Sequence, residues 1–295
     1  MKKEIKTITT TSKNLWNRFI SENLYKEGIS TLVVDFSKCY FVEPFHVVLL
    51  AYLIEDYYKN NVPIIFEKGN NLPLNEYLSN IQFWDYWQPN FDRTSFHQNS
   101  NISNLCLWNL NPNMLSLYVI YAQEYFEKNF SSDRSFEPLN IALAELFNNI
   151  IDHSKSTVSG YTTNQYYPKS NKLKIAVCDF GIGIPNKINE YLVSQGKDKI
   201  PSSLALSKAF EIGFSTKSSP RNRGFGLDTL MNIIENSNGS FKVISNDAML
   251  TLEPNQKVEL FKLNHSFHGT HFEIILDTTT FYKKNNETSD EDFSF

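Results

Sequence analysis

The chain has 295 residues, of which 41% are hydrophobic and 20% are charged, and its formal net charge is −4. This apolar content supports packed cores, and the length is typical of two ordinary domains or one large one. The negative net charge argues against a dedicated nucleic-acid-binding protein. Three cysteines without C-x-x-C spacing predict neither a disulfide framework nor a zinc site.

The first residues, MKKEIKTITTTSK, lack the apolar region of a secretory signal. No window approaches the roughly 18 apolar residues that a membrane-spanning helix requires. We therefore expect a cytoplasmic protein without membrane contact.

The N-terminal part alternates strand and helix patterns. Ser30–Val42 reads as a buried strand, and a helix pattern follows with Pro44 in its first turn. VPIIFEK and LPLNEYLSNIQFWDYW repeat the strand and the helix, which predicts a small α/β unit. The polar residues 88–104 mark a boundary. We therefore predict domains at 1–100 and 105–282, followed by an acidic tail at 283–295.

The C-terminal part begins with two helix patterns, NPNMLSLYVIYAQEYFEKNF and EPLNIALAELFNNIIDHSKS. KLKIAVCDF is a strand pattern, and helical patterns follow around 186–194 and 203–212. GFGLDTLMNIIENSNG then predicts a helix that ends at Gly239. SFKVIS, KVELFKL and GTHFEIIL predict three strands of a meander.

The segment AVCDFGIGIPNK contains DFG, the magnesium-binding triplet of protein kinases. Neither an HRD loop nor a VAIK-like strand precedes it, so a protein kinase of that class is excluded. Pro185 and Asn186 stand where the third glycine of a dinucleotide-binding turn would be, and no P-loop motif occurs. The simplest structural interpretation is a buried strand that ends in a glycine-rich turn.

Three further segments favour a nucleotide site. In AELFNNIIDHS, Glu145, Asn149 and Asp152 share one helix face. An amide oxygen is a hard ligand for Mg²⁺, and a carboxylate can orient or deprotonate water or a hydroxyl group. The structural alternative is a solvent-facing polar stripe.

Asp179 ends a buried strand, where its carboxylate could accept a hydrogen bond from the adenine amine. Gly181 and Gly183 would let the backbone approach a flat ring closely. Thr270, which follows Gly269, could reach the base through water.

FSTKSSPRNRGFGLDTL places basic residues before a helix start. Free amides at a helix N-terminus bind phosphate, and cationic side chains nearby add to that attraction. The structural alternative is a charged surface loop before a capped helix.

With these four motifs in this order, residues 110–280 resemble the GHKL ATP-binding family, which includes gyrase, heat-shock chaperones and histidine kinases. ELFNNIIDH is similar to the N-box, DFGIG to the DxGxG box, and RGFGL to the end of the ATP lid. The resemblance implies a Bergerat-type α/β sandwich with a mixed, largely antiparallel sheet. It implies Mg²⁺ at Asn149 and a catalytic base at Glu145. The implied ATP contacts are Asn149, Asp152, Asp179, Gly181, Gly183, Lys217, Arg223, Gly224, Phe225, Gly226, Leu227 and Thr270.

TLVVDFSKCYFVEPFHVVLLAYLI resembles the strand, turn and helix of STAS-type domains. Members with a phosphorylated serine carry it at this turn. Here the turn is Glu43-Pro44-Phe45-His46, which contains no serine.

The resulting hypothesis is a regulatory ATPase that uses closure of the lid at 214–224 to control a protein partner or a second copy of the chain. One alternative is a serine/threonine protein kinase of the anti-sigma-factor type. Another is a non-catalytic ATP-bound adaptor. A sensor histidine kinase is disfavoured because no phosphoacceptor box occurs, and nucleic-acid processing has little support.

Overall fold

The chain forms two β-sheets, each packed against helices, in the residues that the computed structural model describes: 2–6, 13–93, 104–130, 135–153, 160–211 and 225–281.

The smaller sheet has three parallel strands in the order β1-β2-β3. The N-terminal elements are β1 (Lys2–Lys6), α1 (Lys13–Glu22), β2 (Thr31–Asp35), α2 (Pro44–Lys59), β3 (Ile64–Glu67) and α3 (Leu72–Asn80). The predicted alternation of strand and helix is therefore present. The sequence patterns did not predict β1 or α1, and α3 ends earlier than its apolar pattern suggested.

Helix α2 is buried on almost every side, with 13 of its 16 residues inaccessible to solvent. Pro44 occupies its first turn, where a missing N–H costs no helical hydrogen bond. The Glu43 amide donates to His46 Nδ1 at 3.0 Å, which completes a capping box at the start of the helix. A helix that is hydrophobic all round requires packing partners on opposite sides.

The larger sheet has five strands in the order β4-β5-β6-β8-β7, and every neighbouring pair is antiparallel. Its strands are β4 (Asn104–Leu110), β5 (Gly160–Tyr167), β6 (Lys172–Asp179), β7 (Ser240–Leu252) and β8 (Glu259–Asp277). The accompanying helices are α4 (Leu115–Asn129), α5 (Glu137–His153), α6 (Ile184–Ser194), α7 (Ser202–Lys208) and α8 (Phe225–Asn236). The chain is thus an α/β protein with an antiparallel five-stranded sheet.

The last two strand patterns predicted from the sequence form one strand, β8, which is 19 residues long. The prediction that Gly269 and Thr270 open a strand is therefore wrong. Ser245 pairs with Thr270 and Asn246 with Phe267, so two extra residues of β8 form a bulge at this point. A bulge bends the strand without ending it, and the glycine at the bulge had suggested a strand boundary.

Alternate residues of β6 face two different cores. Leu173, Ile175 and Val177 pack among the helices α4, α5 and α8. Ala176 and Cys178 pack with residues of the N-terminal segment. Helix α2 lies against β5 and β6, and α1 lies against β8. Helices from the two parts of the chain therefore cover opposite faces of the larger sheet, here called the helix face (α4, α5 and α8) and the α2 face.

Candidate functional site

Asp179 ends β6 on the helix face, in register with Leu173, Ile175 and Val177. Its side chain is 7% exposed. Burial raises the pKa of Asp179 to about 6, although hydrogen bonds from Gly181 and Thr270 oppose the rise. The Gly181 amide donates to Asp179 Oδ1 at 2.6 Å. The site thus contains a buried carboxyl group that is held by neutral donors.

Thr270 and Ser245 extend this site across the sheet. Cys178 pairs with His271, so Thr270 of β8 comes next to Asp179, and Ser245 of β7 pairs with Thr270. Ser245 Oγ lies 3.0 Å from Thr270 Oγ1 and accepts from the Ile184 amide at 2.9 Å. Ser245 Oγ also donates to the Gly269 carbonyl oxygen at 3.1 Å, so its single proton has two acceptors in reach, this carbonyl and Thr270 Oγ1. Asp179, Thr270 and Ser245, here called the hydroxyl row, provide a polar surface inside an apolar sheet.

Two glycines allow the backbone to pass close to this row. Gly183 has φ +88°, and a Cβ atom there would lie 2.5 Å from Asn246 Oδ1. Gly269 has φ +99°, and a Cβ atom there would lie 2.2 Å from the Asp179 carbonyl oxygen and 3.0 Å from Oδ1. Replacing either glycine by a residue with a side chain would cause steric overlap and require an unfavourable φ.

Asn246 adds an acceptor beside the glycine turn. Its Nδ2 donates to the Ile182 carbonyl at 3.0 Å. Its Oδ1 is buried and has no donor in the described part of the chain. A buried acceptor without a donor is costly, so a ligand that brings an N–H group would relieve that cost.

Helix α5 places two of the predicted residues on the helix face of the sheet. Glu145 and Asn149 are half-buried on successive turns, whereas Leu146 and Ile150 are buried in the core. Residues 154–159 connect α5 to Gly160, which pairs with Asp179. The C-terminal end of α5 therefore leads directly to the strand end that holds Asp179. Asp152 lies in the last turn of α5, and its side chain is outside the described residues.

The predicted phosphate-binding segment is described only in part. Lys217, Arg223 and Gly224 lie outside the described residues. Helix α8 begins at Phe225, and the side-chain environments of Phe225 and Gly226 are not described. Leu227 packs against the core of the helix face. Helix α8 lies against α5, which carries Asn149.

The structure therefore brings Asp179, Gly181, Gly183 and Thr270 together. Ser245, Asn246 and the bulge at Gly269 were missed as parts of the site. Ser245 ends the segment SFKVIS and Asn246 follows it, and neither belongs to a motif, so only the pairing of β7 with β8 reveals their position.

Within the described ranges, no group of three or more His, Cys, Asp or Glu side chains could hold a metal ion. None of the helices in those ranges is both long and apolar enough to cross a bilayer.

Residues 136–280 match the family model described as histidine kinase-, DNA gyrase B- and HSP90-like ATPase. The matched segment runs from just before α5 to just beyond β8, and the match supports ATP binding in general. Among solved structures, the chain is similar to the ATPase region of Saccharomyces cerevisiae topoisomerase II bound to ICRF-187 (dexrazoxane). The identity is 12%, the TM-score is 0.22, and the match covers 40% of this chain and 32% of that chain. No curated protein matches the sequence.

Proposed function

We propose that this chain is a regulatory ATPase that binds Mg²⁺-ATP on the helix face, at the ends of β6 and β8. The observation that carries the proposal is the buried Asp179 carboxyl group, held by Gly181 and Thr270 inside a domain of an ATPase family. A buried carboxylate with an open lone pair accepts a hydrogen bond from an exocyclic amine, and the adenine ring of ATP provides one.

The side chains around Asp179 fit a flat purine. Because Gly183 and Gly269 carry no side chains, the Asn246 amide and Asp179 can lie close to the backbone that would border the base. Thr270 and Ser245 supply hydroxyl groups, and the buried Asn246 Oδ1 supplies a second acceptor. Asp179 would orient the base, and the hydroxyl row would fix its edge.

The residues of α5 fit the magnesium and phosphate end of the ligand. Mg²⁺ keeps several waters and binds few protein ligands besides the phosphates, so one amide oxygen from Asn149 suffices. Magnesium would supply charge neutralisation at the phosphates. Glu145, one turn earlier, would accept the proton of the attacking water. The half-buried position of both side chains supports these roles.

The regulatory part of the proposal rests on the sequence. Lys217, Arg223 and the amides of Gly224–Leu227 would close over the phosphates, and the ordered segment 214–224 would alter contacts with a protein partner or a second copy of the chain. The start of α8 at Phe225 supports phosphate binding by its first amides. We also propose that the chain divides into domains at 1–100 and 105–282, and that the first is STAS-like.

A serine/threonine protein kinase is the second candidate. The parallel β1-β2-β3 sheet, with α2 between β2 and β3 in the chain, favours it, because this segment resembles STAS-type domains, the fold of anti-sigma antagonists. The absence of a serine from Glu43 to His46 argues against phosphorylation within the chain. Incubation with γ-labelled ATP and partner proteins separates the functions, because an ATPase releases free phosphate and a kinase labels protein. ATP binding without either product would instead favour the adaptor.

The ATP proposal is tested by equilibrium binding of Mg²⁺-ATP to wild type and Asp179→Asn. Loss of a charge-assisted hydrogen bond should weaken binding roughly 10- to 100-fold. Asp277→Asn is the matched control, since Asp277 ends the neighbouring strand and pairs with Lys172 at the opposite end of β6. Equal affinity of Asp179→Asn and wild type would refute the adenine assignment.

The role of Glu145 is tested by turnover. Glu145→Ala should lower the rate of ATP hydrolysis by about 10²- to 10⁴-fold and leave ATP affinity nearly unchanged. Glu137→Ala, two turns earlier on α5 and exposed, should hydrolyse ATP at the wild-type rate. Unchanged turnover in Glu145→Ala would exclude Glu145 as the base.

A further inference from the structure

Asp179 and Phe180 are neighbours in the chain but contact opposite sides of the larger sheet. Asp179 faces the helices, whereas the ring of Phe180 stacks on Tyr52 of α2. The ring centroids lie 4.5 Å apart, and the ring planes differ by 14°. Lys59 Nζ lies 4.3 Å from the Phe180 centroid. Phe180, which follows the proposed adenine-binding residue Asp179, is therefore held by the N-terminal part of the chain.

The same tyrosine also holds the second segment of the site. Tyr52 OH donates to the His268 carbonyl oxygen at 2.8 Å. His268 lies in the β8 bulge, directly before Gly269 and Thr270. Tyr52 is 3% exposed, and burial keeps the pKa of its phenol well above the ordinary value, so the hydroxyl remains a donor. One side chain thus contacts both backbone segments that present polar groups to the nucleotide.

Tyr52 belongs to a continuous stripe along α2. Five residues at heptad-like spacing face the larger sheet: Phe45, Val48, Tyr52, Glu55 and Lys59. The Phe45 ring lies 4.1 Å from that of His271, and Cys178 Sγ donates to the Val48 carbonyl at 3.3 Å. Tyr161 OH donates to Glu55 at 2.5 Å. The position of α2 is therefore fixed against β5, β6 and β8 on the side opposite the nucleotide.

We propose that Tyr52 is a positioning residue of the nucleotide site, which sets the separation of Asp179 and Thr270 from behind the sheet and couples α2 to ATP binding. The inference rests on the proposed function. A hydrogen bond to adenine requires the acceptor to lie within a few tenths of an ångström of its proper place. The Tyr52 side chain contacts both Phe180 and His268, so its position controls where Asp179 and Thr270 lie relative to adenine. By linkage, ATP must in turn stabilise the contacts of Tyr52.

The chain offers a matched control for the hydroxyl group. Tyr57 also lies buried on α2, and its OH donates to the Asn23 carbonyl at the same distance of 2.8 Å. That bond remains within the N-terminal segment. Tyr52→Phe and Tyr57→Phe therefore remove equivalent hydrogen bonds from one helix, and both should lower the free energy of unfolding similarly.

The test compares the affinities of the wild-type protein and both variants for Mg²⁺-ATP and Mg²⁺-ITP, which has an oxo group in place of the adenine amine. Tyr52→Phe should weaken ATP binding about 3- to 10-fold, the effect of one lost hydrogen bond, and should leave ITP affinity unchanged. Tyr57→Phe should change neither affinity more than about twofold. Hydrogen exchange at the amides of Gly181 and Thr270 should be faster in ligand-free Tyr52→Phe than in Tyr57→Phe.

The outcomes separate the two proposals. Equal ATP affinities in the two variants, or equal losses for ATP and ITP in Tyr52→Phe, would overturn the positioning role and leave ATP binding intact. A wild-type protein that binds no ATP would overturn the proposed function, and with it the nucleotide role of Tyr52.

Discussion

The two faces of the larger sheet are covered in physically different ways. The helix face is packed mainly with aliphatic and aromatic side chains from α4, α5 and α8, and the hydrogen-bonded Asp179 carboxyl group lies at its strand ends. The α2 face combines apolar packing with buried polar contacts at Tyr52, Glu55 and Tyr161. The helix face thus carries the proposed chemistry, whereas the α2 face fixes the position of the N-terminal segment on the sheet.

The buried charge cluster on the α2 face should show the largest effect on stability. Arg93 contacts Glu55 and Tyr161 OH, and its guanidinium lies 4.4 Å from the Tyr58 ring centroid. Arg93→Met removes this cation while Glu55, only 2% exposed, remains buried. Breaking a buried pair in this way should lower the free energy of unfolding by about 3–5 kcal/mol, measured by urea denaturation.

The exposed pair of Arg18 and Glu22 provides the control for that variant. Both side chains are more than half exposed, so Arg18→Ala should change the free energy of unfolding by less than about 1 kcal/mol. Adding Glu55→Gln to Arg93→Met should recover part of the loss, because no charge remains buried. Equal effects of Arg93→Met and Arg18→Ala would remove the distinction between the two faces.

On the helix face, removing the charge of Asp179 should raise the free energy of unfolding, whereas removing that of Arg93 lowers it. Burial raises the pKa of Asp179 from 3.8 to about 6, so the ionised side chain costs the folded state free energy as the pH rises through this range. In ligand-free protein, Asp179→Asn should therefore unfold with a free energy up to about 3 kcal/mol higher than wild type at pH 8. The two proteins should converge near pH 4.

Urea denaturation of both proteins between pH 4 and pH 8 measures this difference. A constant difference across that range would show that Asp179 does not titrate near pH 6. Asp277→Asn should show no such gain at high pH, because hydrogen bonds from Thr279 and Lys172 lower the pKa of Asp277.

The smallest effect is expected at the pair of Lys174 and Glu43, which joins β6 to the start of α2. The Lys174 and Glu43 side chains are 20% and 17% exposed, so water and salt screen much of their attraction. Lys174→Gln should lower the free energy of unfolding by about 1 kcal/mol or less, and 0.5 M salt should reduce that loss. A loss comparable with that of Arg93→Met would mean that surface charge, not the buried cluster, fixes α2.

The sequence predicted single helices and strands better than the way in which they pair and pack. The apolar run before Asp179 and the polar positions of α5 follow simple periodicities, so both elements and their candidate residues could be predicted. Strand β5 could not, because its buried Thr162, Thr163 and Asn164 look like surface residues. Thr162 and Thr163 donate to the carbonyl oxygens of Ala176 and Leu105, and Asn164 Oδ1 accepts from the Leu105 amide. Only the strand pairing reveals these partners.

The packing partners of helix α2 could not be predicted from its sequence pattern. Its residues are apolar almost all round, so the pattern predicted a buried helix in a small α/β unit but not which side meets which partner. The contacts of Glu55 with Tyr161, and of Tyr52 with Phe180, join residues more than 100 positions apart. No local rule connects such distant residues.

Because side chains alternate along β6, an insertion or deletion of one residue in this strand would change which residues face the site. Leu173, Ile175, Val177 and Asp179 keep to the helix face only because they are separated by steps of two. Deleting one residue between Lys172 and Cys178 would bring Phe180 into the place of Asp179 and turn the carboxylate toward α2. Insertions or deletions in this strand should therefore be tolerated, if at all, only in pairs.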